Sequence, residues 1–520
     1  MILISSAAYV EQDLSVEVGR IPPAFLPIGN KRLYEYQVDL LKKYDSEIYL
    51  SLPDTFELAA HDKNELEALG VHLIFVPEGL TLGNSIAFSW SSSGRQFDNF
   101  TILHGDTLYL EHKLQPLDCI LVHENEGAYR RGQVQFETAY ANEHYSSDFV
   151  DNEKLVISGF FRFSNPPKLI QGILENSGDF VKGVQSYHST VGLTDITDGE
   201  WLDFGHLNSF FNSRSKMTTQ RSFNALRIDP RCVTKLSEDK AKMRAESNWF
   251  NTIPMPMRLH TPALISDYEE KNGVGRYSLE YLYLLPLNDL MVFGQLPNST
   301  WRKIIESAGK IIEDFSNYKT SEIKLEDLDN LYFAKTKQRL TEINSWSFVK
   351  VKPEHFNFDS SLALAERASS FISKVSRKQV CIVHGDFCFS NLLYDSRIQS
   401  LKLIDPRGLT FDRKLSIYGD RRYDVAKFFH SLVANYDYII AGRYDLQDAE
   451  LVFFKNEKSV FLYEEFERVF STELGFDMKE IIAINIHLFL SMLPLHSDRP
   501  DRQWAMLLNA HRLEKLYLKD

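Results

Sequence analysis

Through the first two hundred residues, short apolar runs recur and alternate with amphipathic stretches. Residues 2–4, 47–51, 71–76 and 100–104 read as buried strands, and 34–43 carries the apolar spacing of a helix. Strand alternating with helix predicts a parallel sheet flanked by helices. Between residues 206 and 221 the composition turns polar, and a domain boundary is expected there. A second pattern follows. Residues 223–227 and 232–236 read as paired strands about a turn at Asp229-Pro230, 240–250 is helical, and two further strands flank Asn272-Gly273-Val274-Gly275, the second running into Tyr281. That Gly-Val-Gly lies between strands with no helix following, so it reads as a hairpin turn rather than a phosphate-binding loop. Beyond residue 295 helical periodicity dominates, apart from strand-like runs at 379–383 and 401–404. The expected domains are 1–210, a small mixed lobe at 211–295, and a mainly helical lobe at 296–520.

Composition narrows this picture. A chain of 520 residues with 44% hydrophobic content exceeds what one core organises, which agrees with at least two domains. With 58 basic against 71 acidic side chains the net charge is −13, a field that repels polyanions, and no nucleic-acid partner is expected. Cys119, Cys232, Cys381 and Cys388 lack metal-site spacing and fit reduced thiols, hence a cytoplasmic location. The opening Met1-Ile2-Leu3-Ile4 has no basic segment before it and reads as a buried strand rather than a secretion signal. Residues 481–495 are apolar but interrupted by Asn485, His487 and Pro494 and fall short of the roughly 20 residues that span a bilayer, so a core helix is expected there, with no membrane span.

The strongest chemical signal is Val383-His384-Gly385-Asp386-Phe387-Cys388-Phe389-Ser390-Asn391, followed fourteen residues after Asn391 by Asp405-Pro406-Arg407-Gly408. Phosphoryl transfer needs a carboxylate to receive the proton of the attacking hydroxyl, and an amide oxygen and a second carboxylate to hold magnesium. Asp386, Asn391 and Asp405 have those chemistries. The alternative is that His384 and Asp386 merely form a hydrogen-bonded turn after one strand while Asp405 ends another. Three such groups at these offsets, each beside an apolar run, favour the site.

The spacing H-x-D-x-x-x-x-N resembles the catalytic loop of kinases, and His-Gly-Asp with a downstream Ile-Asp is similar to the aminoglycoside phosphotransferase and choline kinase family. The resemblance implies ATP and Mg2+ as cofactors and a small-molecule hydroxyl substrate. Asp386 would deprotonate the acceptor, Asn391 and Asp405 would bind the metal, and Lys235 with Glu246 would form the strand-lysine and helix-glutamate pair that holds the ATP phosphates. Ser222 and Asn224 stand where a phosphate cover would lie, though no glycine-rich loop is present and both could equally satisfy a turn. Glu280 and Tyr281 fall at the hinge that would read adenine, with a plain edge strand as the alternative. His384 opens the loop, and Asp424 in Asp420-Arg421-Arg422-Tyr423-Asp424-Val425-Ala426-Lys427 matches the aspartate that supports it, or else caps a helix. Arg407 departs from the usual family residues and suits either an anionic substrate or a structural ion pair. The absence of an Ala-Pro-Glu segment after Asp405 argues against a protein kinase.

The amino-terminal part contains Leu103-His104-Gly105-Asp106 and, about a hundred residues later, Trp201-Leu202-Asp203-Phe204-Gly205. These resemble the metal-binding aspartate segments of pyrophosphorylase-type nucleotidyltransferases. Residues 21–31 resemble that family's proline-rich segment and 78–83 its base-proximal loop, so the likeness spans nearly all of 1–205. It implies metal at Asp106 and Asp203 and a CTP, UTP or dTTP substrate. Two departures stand out: the loop 5–13 lacks Gly-x-Gly-x-Arg, and Pro23 replaces the usual lysine, for which Arg20 or Lys31 are candidate substitutes. The domain is therefore expected to be either an atypical active nucleotidyltransferase or a degenerate one kept for binding or assembly.

The expected fold is thus an α/β, Rossmann-like nucleotidyltransferase-like domain followed by an α+β two-lobed kinase-like domain. The combination resembles bacterial fusions serving capsule or other surface-polysaccharide synthesis, in which a kinase phosphorylates a sugar, polyol or amino alcohol and a second domain activates the product. The rival is a nucleotide-binding pseudoenzyme that organises such machinery without turnover. The acceptor and the oligomeric state stay open at this level.

Overall fold

Ile2, Leu3 and Ile4 have no appreciable solvent exposure, and they form an interior strand of the first sheet. The computed structural model describes residues 1–44, 46–124, 155–217, 225–453 and 458–518. The chain divides into two compact units, Met1–Met217 with Phe293–Gln295, and Thr218–Val292 with Leu296–Asp520.

In the first unit the strands are β1 (Ile2–Ser5), β2 (Ile48–Pro53), β3 (Val71–Val76), β4 (Phe100–His104), β5 (Thr107–Leu110), β6 (Cys119–Glu124), β7 (Leu155–Phe163), β8 (Thr194–Ile196) and β9 (Glu200–Asp203). Seven of them build one sheet in the order β8-β6-β7-β4-β1-β2-β3. The predicted parallel pairing holds for β1, β2, β3 and β4. It fails at β7, which runs antiparallel to both β4 and β6, so the sheet is mixed. The alternation that suggested a parallel sheet ends before residue 105, ahead of this returning strand. Ile102, Ile120, Phe161, Phe163 and Tyr187 fill the core on one face. On the other, Gln37 of helix α1 (Leu33–Leu41) is fully buried and donates from Nε2 to the carbonyls of His104, Gly105 and Thr107, at 3.1, 3.1 and 2.9 Å. One side chain thus fixes the turn that carries Asp106. The polar stretch read as a boundary conceals a helix, Leu207–Lys216, whose Phe210 and Phe211 are buried.

The second unit begins with a four-stranded antiparallel sheet built from β10 (Ala225–Ile228), β11 (Cys232–Ser237), β12 (Leu264–Lys271) and β13 (Val274–Glu280), in the order β10-β11-β13-β12. Helix α2 (Lys240–Thr252) packs on it. The turn expected at Asp229-Pro230 is closed by Asp229 Oδ1, which accepts from the amides of Arg231 and Cys232 at 2.8 and 2.9 Å. Asn272 and Gly273 both have positive φ, 53° and 80°, as a two-residue hairpin turn of primed type requires, and the Gly-Val-Gly is accordingly no phosphate loop.

The remainder is mainly helical around two short strand pairs, β14 (Val380–Ile382) with β17 (Tyr418–Asp420), and β15 (Leu392–Asp395) with β16 (Ser400–Leu403). Around them stand helices α3 (Phe333–Thr341), α4 (Arg421–Leu432) and α5 (Met478–Met492). Every residue of α4 from Arg422 onward is buried, which makes it the central helix of the lobe. Sheet-plus-helix followed by a helical lobe is the two-lobed α+β kinase-like arrangement, and the first unit is the α/β nucleotidyltransferase-like one. The apolar stretch continues to His496, so that 19 residues are long and apolar enough to cross a membrane by length and composition. All of Ile481 through Ser491 is buried by neighbouring protein, as a core helix requires.

Two imidazoles inside this core stay neutral. His487 sits between Thr336 Oγ1 and Ser369 Oγ, both at 3.0 Å, and burial lowers it to about 3. His430 donates from Nδ1 to Asn485 Oδ1 at 3.1 Å, because Asn485 Nδ2 is committed to the carbonyls of Ala426 and Ile481, and burial takes it well below its ordinary value. A histidine whose folded-state value is depressed contributes its full stability above the unfolded value near 6.5 and loses it as pH falls through that point. Each is expected to cost up to about 2 kcal/mol at pH 5. Urea midpoints at pH 7 and pH 5 check this: the midpoint should fall on acidification, and His487→Phe should shrink the fall.

Candidate functional site

Strand β14 delivers the backbone into a sharp turn at Val383-His384-Gly385. Gly385 has φ +79°, and a Cβ there would lie 2.7 Å from Arg407 Cβ, so both conformation and space require glycine. Asp424, fully buried on α4, closes the turn by accepting from the amides of His384 at 2.6 Å and Gly385 at 2.8 Å. The capping alternative falls to Asp420, whose side chain accepts from Arg422 N at the start of α4. Asp424 is therefore a positioning residue for the loop. Asp424→Ala leaves two buried amides unpaired and is expected to cost about 2–4 kcal/mol. Asp424→Asn keeps one acceptor oxygen and should recover about half of that in thermal unfolding.

His384 is buried, and burial lowers it to about 4 despite the nearby Asp386 and Asp405 carboxylates. Its Nε2 donates to Ile404 O at 2.9 Å, which leaves Nδ1 to accept from Asp386 N at 3.3 Å. A neutral ring thus ties the Asp386 turn to the strand that ends at Asp405.

Asp386 lies between two partners. Asn391 Nδ2 donates to its backbone oxygen at 2.9 Å and to its Oδ2 at 3.2 Å, while Lys427 Nζ stands 2.9 Å from Oδ1. Burial alone would raise the carboxyl, but Lys427 and Arg407 outweigh it and hold it well below the usual carboxylate range. Asp386 is ionised at neutral pH. Because Asn391 spends its Nδ2 on Asp386, its Oδ1 is the atom able to face a cation.

Asp405 adopts a left-handed conformation with φ 57° and is met by Lys235 Nζ at 3.0 Å from Oδ1. The same ammonium stands 2.6 Å from Glu246 Oε2, which also accepts from Tyr277 OH at 2.7 Å. Lys235 and Tyr277 are register partners across β11 and β13, so sheet pairing alone aims both at Glu246 on α2. Burial lowers the Lys235 ammonium, and the Asp405 and Glu246 carboxylates more than restore it, so it remains charged. Helix α2 meets the site at two points: Trp249 Nε1 donates to Val383 O at 2.8 Å, ahead of Asp386, and Gly408, just after Asp405, sits so close that a Cβ would lie 2.2 Å from Ala245 O. The structure thus sets Asp386 against Asn391, and Lys235 against both Glu246 and Asp405, with His384 tying the two groups together through Ile404. The carboxylate of Asp405 and Oδ1 of Asn391 are hard oxygen donors of the kind magnesium takes.

Other predicted residues fare differently. Ser222 and Asn224 lie outside the described residues. The amides of Glu280 and Tyr281 are spent on Ala263 O and Arg231 O, each at 2.9 Å, so any reading of a base by these two falls to their carbonyls or side chains. Arg407 is in no structural ion pair among the described residues: its Nη2 donates to Tyr423 OH at 2.9 Å and its guanidinium lies over that ring, 4.7 Å from the centroid. Lys427, Lys335 and Tyr423 were given no role from sequence. Lys427 follows Asp424 by three residues and Tyr423 by four, a helical spacing that puts all three on one face and was legible in principle.

In the first unit, β5 and β9 pair with Thr107 opposite Asp203, which brings Asp203 beside Asp106. Gly205 lies between them, since a Cβ there would be 2.5 Å from Asp106 Oδ2 and 3.3 Å from Asp203 Oδ1. Two adjoining cavities of about 260 and 290 Å³ share Leu82, His104, Asp106 and His206. The predicted loop 5–13 and the base-proximal Leu80 and Leu82 line the larger one. Of the candidate substitute cations, Arg20 pairs with Glu78 and stacks on the cavity-lining Tyr9, Lys31 is 3.9 Å from Glu35, and neither is among the residues lining these two cavities. No lysine or arginine appears among the lining residues of either cavity.

In comparisons with known proteins, no family model and no curated protein matches the chain. Among solved structures, an aminoglycoside-3'-phosphotransferase of type VIII is 13% identical, covering 52% of this chain and 88% of its own, with a TM-score of 0.35. An aminoglycoside phosphotransferase from Streptomyces rimosus, solved with ADP and streptomycin, is 15% identical over 54% of this chain and 86% of its own, with a TM-score of 0.32. A nucleoside-diphosphate-sugar pyrophosphorylase from Vibrio cholerae RC9 is 11% identical, covering 41% of this chain and 99% of its own, with a TM-score of 0.33. These likenesses concern the fold alone, and the chemistry rests on the groups described above.

Proposed function

We propose that the second unit is an ATP- and Mg2+-dependent kinase that phosphorylates a hydroxyl of a sugar, polyol or amino alcohol. The observation that carries this is the Lys235 ammonium bridging Glu246 at 2.6 Å and Asp405 at 3.0 Å, alongside an ionised Asp386 joined to Asn391. Asp386 orients the acceptor hydroxyl and receives its proton as the oxygen attacks the γ-phosphorus and the bond to ADP breaks. Lys235 would hold the ATP phosphates, and Asn391 with Asp405 would hold magnesium, which when bound would supply positive charge to the transferred group. His384 and Asp424 keep the loop in place.

The first unit, on this reading, is an atypical nucleotidyltransferase that activates the phosphorylated product with CTP, UTP or dTTP for surface-polysaccharide synthesis in the cytoplasm. The pairing of Asp106 with Asp203 supports activity. The absence of a cation among the cavity-lining residues supports a second reading, in which this unit binds nucleotide and organises partners without turnover, because a triphosphate there would lack a major source of stabilisation. The experiment is a magnesium- and ATP-dependent screen of the whole protein against sugars, polyols and amino alcohols, with each product then offered every NTP. An acceptor phosphorylated in this screen sustains the kinase reading. ATP binding with no acceptor phosphorylated across the panel shifts the assignment to the nucleotide-binding scaffold.

A further inference from the structure

Three cations gather on one side of Asp386. Lys427 contacts its Oδ1, Arg407 Nη2 reaches Tyr423 OH at 2.9 Å, and Lys335 Nζ on α3 reaches the same phenol oxygen at 3.4 Å. The carboxylates nearby balance them only in part: Asp386 and Asp424 favour the Arg407 charge at a distance without pairing with it. Asp386 is committed to Lys427 and Asn391, and Asp424 accepts two backbone amides and is raised to about 7 by burial. Asp420 is held by Arg422 at 2.7 Å, and His384 and His430 are neutral. Among the described residues, neither Arg407 nor Lys335 has a carboxylate within the 4.0 Å of an ion pair. The local excess of positive charge is visible at Tyr423: burial alone would raise its phenol, but Arg407, Lys335 and Lys427 outweigh that and bring it down to about 7.

Partly or fully desolvated cations without counter-ions are costly, and proteins keep them where an anion binds. Arg407 and Tyr423 line a cavity of about 40 Å³ with His384, Gly385, Asp327 and the Arg422-paired Asp420, and Lys335 reaches it only through the Tyr423 hydroxyl. Arg407 N donates to His384 O at 2.9 Å, which anchors its backbone beside the turn that carries Asp386, while Tyr423 holds its guanidinium. We infer that Arg407, Lys335 and the Tyr423 hydroxyl form an anion subsite of the acceptor pocket, so that the acceptor is a hydroxyl compound already bearing a phosphate or carboxylate group. This rests on the kinase reading for the identity of the ligand but not for the existence of the subsite. A planar guanidinium fork beside an ammonium matches either anion.

The test has two arms on the full chain. First, inorganic phosphate is titrated into protein saturated with magnesium and a non-hydrolysable ATP analogue, which occupies Lys235, with calorimetry and tyrosinate absorbance near neutral pH as readouts. Saturable binding should suppress the tyrosinate signal, because an anion beside Tyr423 opposes its ionisation. Lys335→Met and Arg407→Met should each weaken binding about 30-fold, while Tyr423→Phe should abolish the optical signal. Second, matched acceptors are compared: glycerol against glycerol phosphate and glycerate, and a free sugar against its phosphate and its acid. The anionic members should show kcat/KM about 30-fold or more above the neutral ones, and whether phosphate or carboxylate leads identifies the group. No phosphate binding, binding undiminished in both Met variants, or preference for neutral acceptors overturns the inference. Binding that is lost in the variants, with no acceptor phosphorylated, keeps the subsite and removes the kinase reading instead.

Discussion

Asp386→Asn is expected to lower acceptor phosphorylation about 10³-fold while leaving magnesium-ATP binding within a few-fold of the parent. The amide keeps the volume of the carboxylate and a partner for Asn391, but it cannot accept a proton, and it releases Lys427 from its 2.9 Å contact. The loop itself should persist, because its geometry comes from Asp424, His384 and Gly385 rather than from the Asp386 carboxylate. Steady-state kcat with the best acceptor from the screen, set against ATP affinity by calorimetry, separates the two effects. Retention of full turnover would remove Asp386 from the chemistry.

The second large effect concerns Lys235. Its side chain is 6% exposed and that of Glu246 only 1%, so Lys235→Met leaves a buried carboxylate with only the Tyr277 hydroxyl at 2.7 Å and the solvent-facing Lys242 ammonium at 3.7 Å. Breaking such a buried pair costs about 3–5 kcal/mol, much of it from the charge left behind. The double variant Lys235→Met with Glu246→Leu removes that charge and should recover most of the stability. It should not recover phosphorylation, since no cation then meets the ATP phosphates. Chemical unfolding and turnover measured on the single and double variants test this. A double variant with restored turnover would mean that the pair is structural only.

The carboxy-terminal chemistry was legible because its groups are packed into two short segments with fixed offsets, and local turn chemistry lays them out directly. Lys235 and Glu246 were legible for a related reason, as a strand and the next helix set their spacing. Lys335 was not, because its meeting with Tyr423 depends on two helices packing, and no local pattern announces that. The antiparallel course of β7 was hidden for the same reason: pairing partners distant in sequence are chosen by the sheet as a whole. Arg20 looked available from its place beside the proline-rich segment, and only tertiary structure shows Glu78 claiming it. Asp424 was read with two roles, and the structure assigns the cap to Asp420 instead.

The attachment of α2 carries a pharmacological consequence. In kinases generally, the helix bearing the glutamate can be a moving part, and its displacement switches the lysine pair on and off. Here Trp249 donates to Val383 O and Gly408 abuts Ala245 O, so swinging the helix outward would strand a buried indole N–H, open that packing and break the Lys235–Glu246 pair. An inhibitor designed to lever this helix aside would spend its affinity on that rupture. On the kinase reading proposed above, compounds that compete with ATP for Lys235 or place an anion against Arg407 and Lys335 leave the attachment intact and are the better starting points.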